Sequence, residues 1–238
     1  MATISAHSPR SGTLEAYAHA LTTGAEYVEF DIRRTGDGEL AVFHDACTRH
    51  GEAVAVISYA RLCEQSGYEV PKAPDVMRLI AGNALGHLDL KDTGGEGEIV
   101  ELAQAILGPG RFIVTTLEDP SVAAVKARFP EVPTALSLGR GLNAASWPQQ
   151  AAVRRSELFP MARVRACGAD WVAVNRQLAR AGVVARCHRA GIKTMVWTVD
   201  DDREIGRWLA DPRVDVLITN RPEYAVRARA GRAAMAAT

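Results

Sequence analysis

Apolar residues along the chain fall into short continuous runs, separated by longer stretches with a helical beat. The runs occupy 3–6, 27–32, 85–90, 112–115, 133–138, 171–174, 194–199 and 214–218, and several are rich in Val and Ile. Near-continuous apolar runs suit strands covered on both faces, as in a parallel sheet. Between them lie segments with helical spacing, at 14–23, 98–107, 121–128, 177–190 and 201–209. In LEAYAHALTT (14–23), Leu14, Tyr17, Ala18 and Leu21 share one face, and Gly24 is a stop signal. Strands alternating with helices at about 30 residues per repeat predict a (β/α)8 TIM barrel. A doubly wound open sheet is the alternative, but no glycine-rich phosphate loop follows the first strand.

One break in the alternation is informative. YVEFDI (27–32) is followed by TGDG (35–38) and then LAVFHD (40–45), and a DG dipeptide between apolar runs signals a hairpin. That hairpin is expected to return His44 and Asp45 toward the barrel mouth. The stretch 46–83 then reads as a short insertion after strand two, an irregular and partly helical cap. The Ala/Arg-rich tail after Ala225 reads as a last, fraying helix. With no linker and no short repeat, residues 1–238 are expected to form a single barrel domain.

Composition narrows the function. The 238 residues carry 28 Lys+Arg and 28 Asp+Glu, a formal net charge of zero. A neutral chain has no electrostatic pull toward nucleic acid, so no nucleic-acid partner is expected. An anionic substrate must be recruited by a local site. The four cysteines (Cys47, Cys63, Cys167, Cys187) show no CxxC pair or zinc-type spacing and are expected to be reduced structural thiols. MATISAHSPR lacks the apolar core of a signal peptide, and no run approaches the roughly 20 residues of a membrane span. A cytoplasmic protein with no integral membrane segment is the expectation.

In a barrel of this kind the strand C-terminal ends form the active site. The polar residues there are His7, Glu29, Asp31, His44, Asp45, Asp89 and Lys91, with Trp197 in strand seven. Glu29 and Asp31 are two apart and so point to one side of their strand, and Asp89 and Lys91 repeat that geometry on the next strand. Three converging carboxylates repel unless protons or a cation intervene, and an all-oxygen set suits Mg²⁺ or Ca²⁺. The plainer reading is that these acids cap strand ends and pair with Lys91 and Arg33. His7 and His44 flank the cluster and suit an acid/base pair at phosphorus, although an isolated strand-end histidine is more often a hydrogen-bonded structural residue. His19 and His188 fall in helical patterns, His50 lies in the insertion, and His87 reads as packing below the site. Trp147, Trp171 and Trp208 are assigned to packing. Glu157, Glu118 and Asp119 read as solvated acids, the last two at the mouth.

These residues carry a resemblance. The order of His7, Thr13 and LEAYAHALTTGAEYVEFDIRRTGDGELAVFHD (14–45) resembles the glycerophosphodiester phosphodiesterase family, a phospholipase C-like phosphodiesterase barrel. LDLK (88–91) is similar to that family's third-strand metal motif, and MVWTVDDDREIGRWLADPRVDVLITNRPE (195–223) to its C-terminal signature. The resemblance spans essentially the whole chain. It implies a TIM barrel with Glu29, Asp31 and Asp89 on one divalent cation and His7 and His44 as the acid/base pair. It also implies Lys91 on phosphate or a ligand carboxylate, and Trp197 as a wall of the substrate pocket. A metal-dependent phosphoric diester hydrolase of lipid metabolism follows, acting on a glycerophosphodiester or other small phosphorylated substrate.

Three departures bear on chemistry. Ser8 stands where the family has an Arg that clamps phosphate. Ser11, Gly12 and Thr13 stand for its Glu-Asn-Thr, and Asp89 for its usual Glu. Arg10 is the candidate to swing in for the missing Arg. An Asp at the third metal position also occurs in sphingomyelinase D-type phospholipases, so lyase chemistry that forms a cyclic phosphate is an alternative. Diphosphate-ionising chemistry is another, and a non-catalytic binding domain built on a decayed enzyme is a third. Both histidines and all three carboxylates argue against decay.

Overall fold

Side-chain alternation decides this architecture, because on each strand one set of residues points into a barrel and the other outward onto helices. The computed structural model describes residues 1–7, 12–142 and 146–236. The chain opens with β1 (Thr3–Ala6), α1 (Leu14–Ala20), β2 (Tyr27–Arg34), β3 (Leu40–Val42), α2 (Tyr59–Ser66), α3 (Ala73–Ile80), β4 (Leu85–Leu90) and α4 (Glu96–Ile106). It continues with β5 (Phe112–Thr116), α5 (Asp119–Arg128), β6 (Thr134–Leu138), α6 (Trp147–Leu158), α7 (Met161–Cys167) and β7 (Trp171–Asn175). It ends with α8 (Arg176–Arg180), α9 (Val183–Arg189), β8 (Lys193–Trp197), α10 (Asp202–Ala210), β9 (Val216–Thr219) and α11 (Pro222–Ala236).

Parallel pairing runs β1-β2-β4-β5-β6-β7-β8-β9 and closes where β9 pairs back onto β1. The result is the expected (β/α)8 barrel, with β3 bonded antiparallel on β2 outside it. Outward residues such as Val28, Phe30, Ile32, Leu88 and Leu90 pack against Tyr17, Val76, Ile80 and Val100 of the helices. Each such side chain contributes about 1.5–3 kcal/mol through burial. Inward residues of the far strands, Ile113, Ala135, Ala173, Met195, Val216 and Ile218, form an apolar plug. The inward positions of β1, β2 and β4 are polar instead: Ser5, Glu29, Asp31, His87 and Asp89. The barrel is therefore lined asymmetrically, apolar on one side and acidic on the other.

The stretch 46–83 differs from the expected irregular cap. Pro74 near its start favours α3, whose Val76, Met77 and Ile80 are buried in the main core. This helix packs on α1, β2, β3, β4 and α4, so it is the barrel's own second helix. Only the earlier part, with α2, stands apart around a small cluster of Ala41, Val54, Leu62 and Val70. The β2 strand runs to Arg34, beyond the expected end, because Arg33 and Arg34 pair with Ala41 and Leu40 of β3. Helix α1 stops earlier than its periodicity predicts. Thr13 caps it, Tyr17 and Ala20 are its buried residues, and Leu14 faces solvent. Trp147, expected in the packing, is 79% exposed at the start of α6. All four cysteines are free thiols.

Candidate active site

The parallel register sets the acids side by side. Asp31 lies opposite Asp89 between β2 and β4, and Asp89 opposite Thr115 between β4 and β5. Glu29, Asp31 and Asp89 each offer an oxygen, and these atoms lie within 4.8 Å of one another. Glu29 and Asp31 are buried, and Asp89 is partly so. Lys91 Nζ lies 2.8 Å from Asp31 Oδ1 and 2.5 Å from Asp89 Oδ2. Burial disfavours charge on Asp31, but the charge and hydrogen bond of Lys91, with His44 and His7 beyond, outweigh it and hold the carboxyl below the usual range. Desolvation likewise opposes charge on Lys91, and Asp89, Asp31 and Glu29 outweigh it, so the ammonium is held above the ordinary lysine range. Three acids against one lysine leave the cluster short of positive charge. The buried Oδ2 of Asp31 also has no hydrogen-bond partner. A hard divalent cation supplies both deficits, so the residues fit one.

Two histidines face the same cavity. His7 follows β1, and its Nδ1 lies 3.0 Å from Asn220 Oδ1. The Asn220 amide nitrogen donates to Asp200 Oδ2 at 2.7 Å, so its oxygen must accept and His7 carries its proton on Nδ1. Nε2 of His7 is turned toward the carboxylates, 3.9 Å from Glu29 Oε2. Past the β3 hairpin, His44 Nδ1 lies 2.8 Å from Asp45 Oδ1 at the exposed rim. His87 lies deeper, within the barrel, and burial pushes its pKa down to about 3, with His7 adding to the effect.

The cavity holds about 310 Å³. His7, Glu29, His44, Asp89 and Lys91 line its acidic side, and Leu117, Ala173, Trp197 and Ile218 its apolar side. Trp197 is fixed by an indole N–H bond of 3.1 Å to Ala173 O. The structure thus brings together His7, Glu29, Asp31, His44, Asp89, Lys91 and Trp197, all singled out from the sequence. Arg10, like Ser8, lies outside the described residues.

Sequence reasoning missed several contributors. Asn220 and Asp200, which orient His7, lie more than 200 and 190 positions away in the chain, although both fall in the C-terminal segment that carries the resemblance. Thr115 donates to Asp89 Oδ1 at 2.7 Å. Glu157, expected to be solvated, is 1% exposed. One of its oxygens accepts the backbone N–H groups of Gly139 and Arg140 at 2.8 and 2.9 Å, and Arg154 meets the other at 2.5 Å. This buried carboxylate pins the loop after β6 that borders the cavity. Gly139 in that loop has φ +121°, and an added Cβ would strike Asn175 Cβ, so only glycine fits. At the rim Glu118 pairs with Arg140, and Asp119 with Arg163.

Comparison with known proteins agrees with this fold. A family model described as the glycerophosphoryl diester phosphodiesterase family matches residues 5–78 and 91–224. The stretch between, which contains β4 and Asp89, falls outside the match. A glycerophosphodiester phosphodiesterase of Caldanaerobacter subterraneus subsp. tengcongensis is 24% identical over 233 residues, covering 89% of this chain and 88% of the relative. Among solved structures, a glycerophosphodiester phosphodiesterase of Parabacteroides distasonis superposes with a TM-score of 0.77 at 18% identity, covering 98% of each chain. A phosphodiesterase of Oleispira antarctica, solved with the product sn-glycerol-3-phosphate, superposes with a TM-score of 0.72 at 17% identity over 95% of this chain and 96% of that one.

Proposed function

This chain belongs to the glycerophosphoryl diester phosphodiesterase family of hydrolases, and we propose that it cleaves glycerophosphodiesters, or closely related small phosphodiesters, with the help of one divalent cation. The observation that carries this reading is the meeting of Glu29, Asp31 and Asp89 within 4.8 Å, at the wall of a cavity that Glu29, Asp89, His7, His44 and Lys91 line. The three carboxylates are the residues that would hold Mg²⁺ or Ca²⁺. A bound cation supplies Lewis-acid stabilisation of charge growing on a phosphoryl oxygen. One histidine removes the proton of the attacking hydroxyl or water, and the other protonates the leaving alkoxide. Donor counting at Asn220 commits His7 Nδ1 to that contact and leaves Nε2 as the nitrogen that can exchange a proton with the substrate. Asp45 holds the ring of His44 at the rim, where the leaving alcohol departs. The apolar wall with Trp197 receives a substituent of the phosphorus.

Among the described residues, Lys91 is the one lysine or arginine lining the cavity. The substrate phosphate therefore leans on Lys91 and the cation, with Arg10 as a further contact. Lys91→Ala is expected to lower kcat/KM roughly 10- to 150-fold, the equivalent of about 1.5–3 kcal/mol for a charged hydrogen bond. Arg10→Ala should cost less, because Lys91 leaves a rigid strand end beside Asp89. Steady-state kinetics on one diester compares the two. The reaction itself is read by phosphorus NMR of glycerophosphodiesters incubated with protein and Mg²⁺ or Ca²⁺. An open monoester, sn-glycerol-3-phosphate with the free alcohol, is the expected product, and turnover on choline-type diesters should be weak because the arginine clamp is missing. A lasting cyclic phosphate would make the enzyme a lyase. No product from any diester would remove the reading.

A further inference from the structure

The polar side of the barrel continues below the carboxylates. Ser5 of β1, His87 of β4 and Thr115 of β5 are all essentially closed to solvent. Ser5 Oγ lies 3.0 Å from His87 Nδ1, His87 Nε2 3.1 Å from Thr115 Oγ1, and Thr115 Oγ1 2.7 Å from Asp89 Oδ1. Donor counting gives this chain one direction. An ionised carboxylate only accepts, so the Thr115 hydroxyl spends its proton on Asp89. Its oxygen then accepts from His87, which places the ring proton on Nε2 and leaves Nδ1 to accept from Ser5.

We propose that His87 and Thr115 are positioning residues of the cation site, fixing Asp89 through Oδ1 so that its carboxylate stays grouped with Asp31 and Glu29. This rests on the reading above that the three carboxylates hold a cation. The brace has a reason in the side chain it holds: Asp89 is one methylene shorter than a glutamate. Its other oxygen is already within 2.5 Å of Lys91, which competes for the same atom. Without a second hold, the carboxylate is free to turn toward the lysine. His87 itself reaches no cation. Its contribution passes through the threonine hydroxyl.

The test is Mn²⁺ affinity, read by electron paramagnetic resonance of the free ion in wild-type, Thr115→Val and Thr115→Ser proteins. Valine keeps the volume of threonine and removes the hydroxyl, whereas serine keeps the hydroxyl. Losing a hydrogen-bond partner behind a metal ligand costs about 10- to 100-fold in affinity. Thr115→Val should fall in that range and Thr115→Ser should stay close to wild type. A folded Thr115→Val protein with wild-type affinity would overturn the brace while leaving the cation site standing. A wild-type protein that binds no Mn²⁺ would overturn the cation reading itself, and the brace with it. Nitrogen NMR of wild-type His87 needs no variant. A neutral ring protonated on Nε2 is expected, and the opposite tautomer would overturn the proposal.

Discussion

Excess chelator is expected to abolish turnover and lower the melting temperature, with both restored by Mg²⁺ or Ca²⁺. The loss of activity follows from the site's charge. The acidic cluster has one lysine for three carboxylates, and a phosphate brings further negative charge into the same cavity. Without a divalent cation the substrate meets net repulsion. The loss of stability follows from linkage: a ligand at 100 times its Kd stabilises the folded state by about 2.7 kcal/mol. The fold itself should survive, because Lys91 still holds Asp31 and Asp89 together. Asp31→Asn should match the chelator's effect on activity, and added metal should not rescue it. The pH dependence has a definite sign. A carboxyl held below its unfolded value, as Asp31 is, contributes stability that is present above about pH 4 and lost as pH falls through the folded value. Metal-free protein should therefore lose stability from this group only in acid, which calorimetric scans at falling pH will show. Undiminished turnover in rigorously metal-free protein would remove the cation from the mechanism.

The carboxylates were legible in the sequence because a strand has a period of two. Glu29 and Asp31 had to share a side, as did Asp89 and Lys91. Their meeting needed one more fact, that the 27–32 and 85–90 runs pair in parallel, and the alternation of strands and helices supplied it. The supporting residues were not legible. His7 depends on Asn220 at the far end of the chain, brought close only because β9 closes on β1. Nothing in the local sequence marks Thr115 as the partner of Asp89, since their contact is a matter of register. Glu157 misled because the helical segment around it reads as polar. Its burial comes from the loop after β6 folding over the carboxylate, a tertiary event without periodicity. Helix α3 was hidden in the insertion by the hairpin and α2 that precede it, which displaced it from the expected repeat spacing.

Replacing His7 or His44 by Ala is expected to cost about 10² to 10⁴-fold in kcat each, the range of a general acid or base. The two positions differ in what else they do, and that makes the pair informative. The His44 side chain is 67% exposed and its hydrogen-bond partner is the equally exposed Asp45, so its removal should change the melting temperature little. His7 is 26% exposed and ties β1 to the β9 end through Asn220, so its removal should cost some stability as well. A large kinetic loss with no thermal change at position 44 therefore cannot be assigned to misfolding. If the two imidazoles move protons in one concerted displacement, the double variant should lose little more than either single one. Independent losses would instead multiply, placing the two residues in separate steps. Near-native turnover in His44→Ala would take that residue out of proton transfer and leave the leaving alkoxide to be protonated by solvent at the rim.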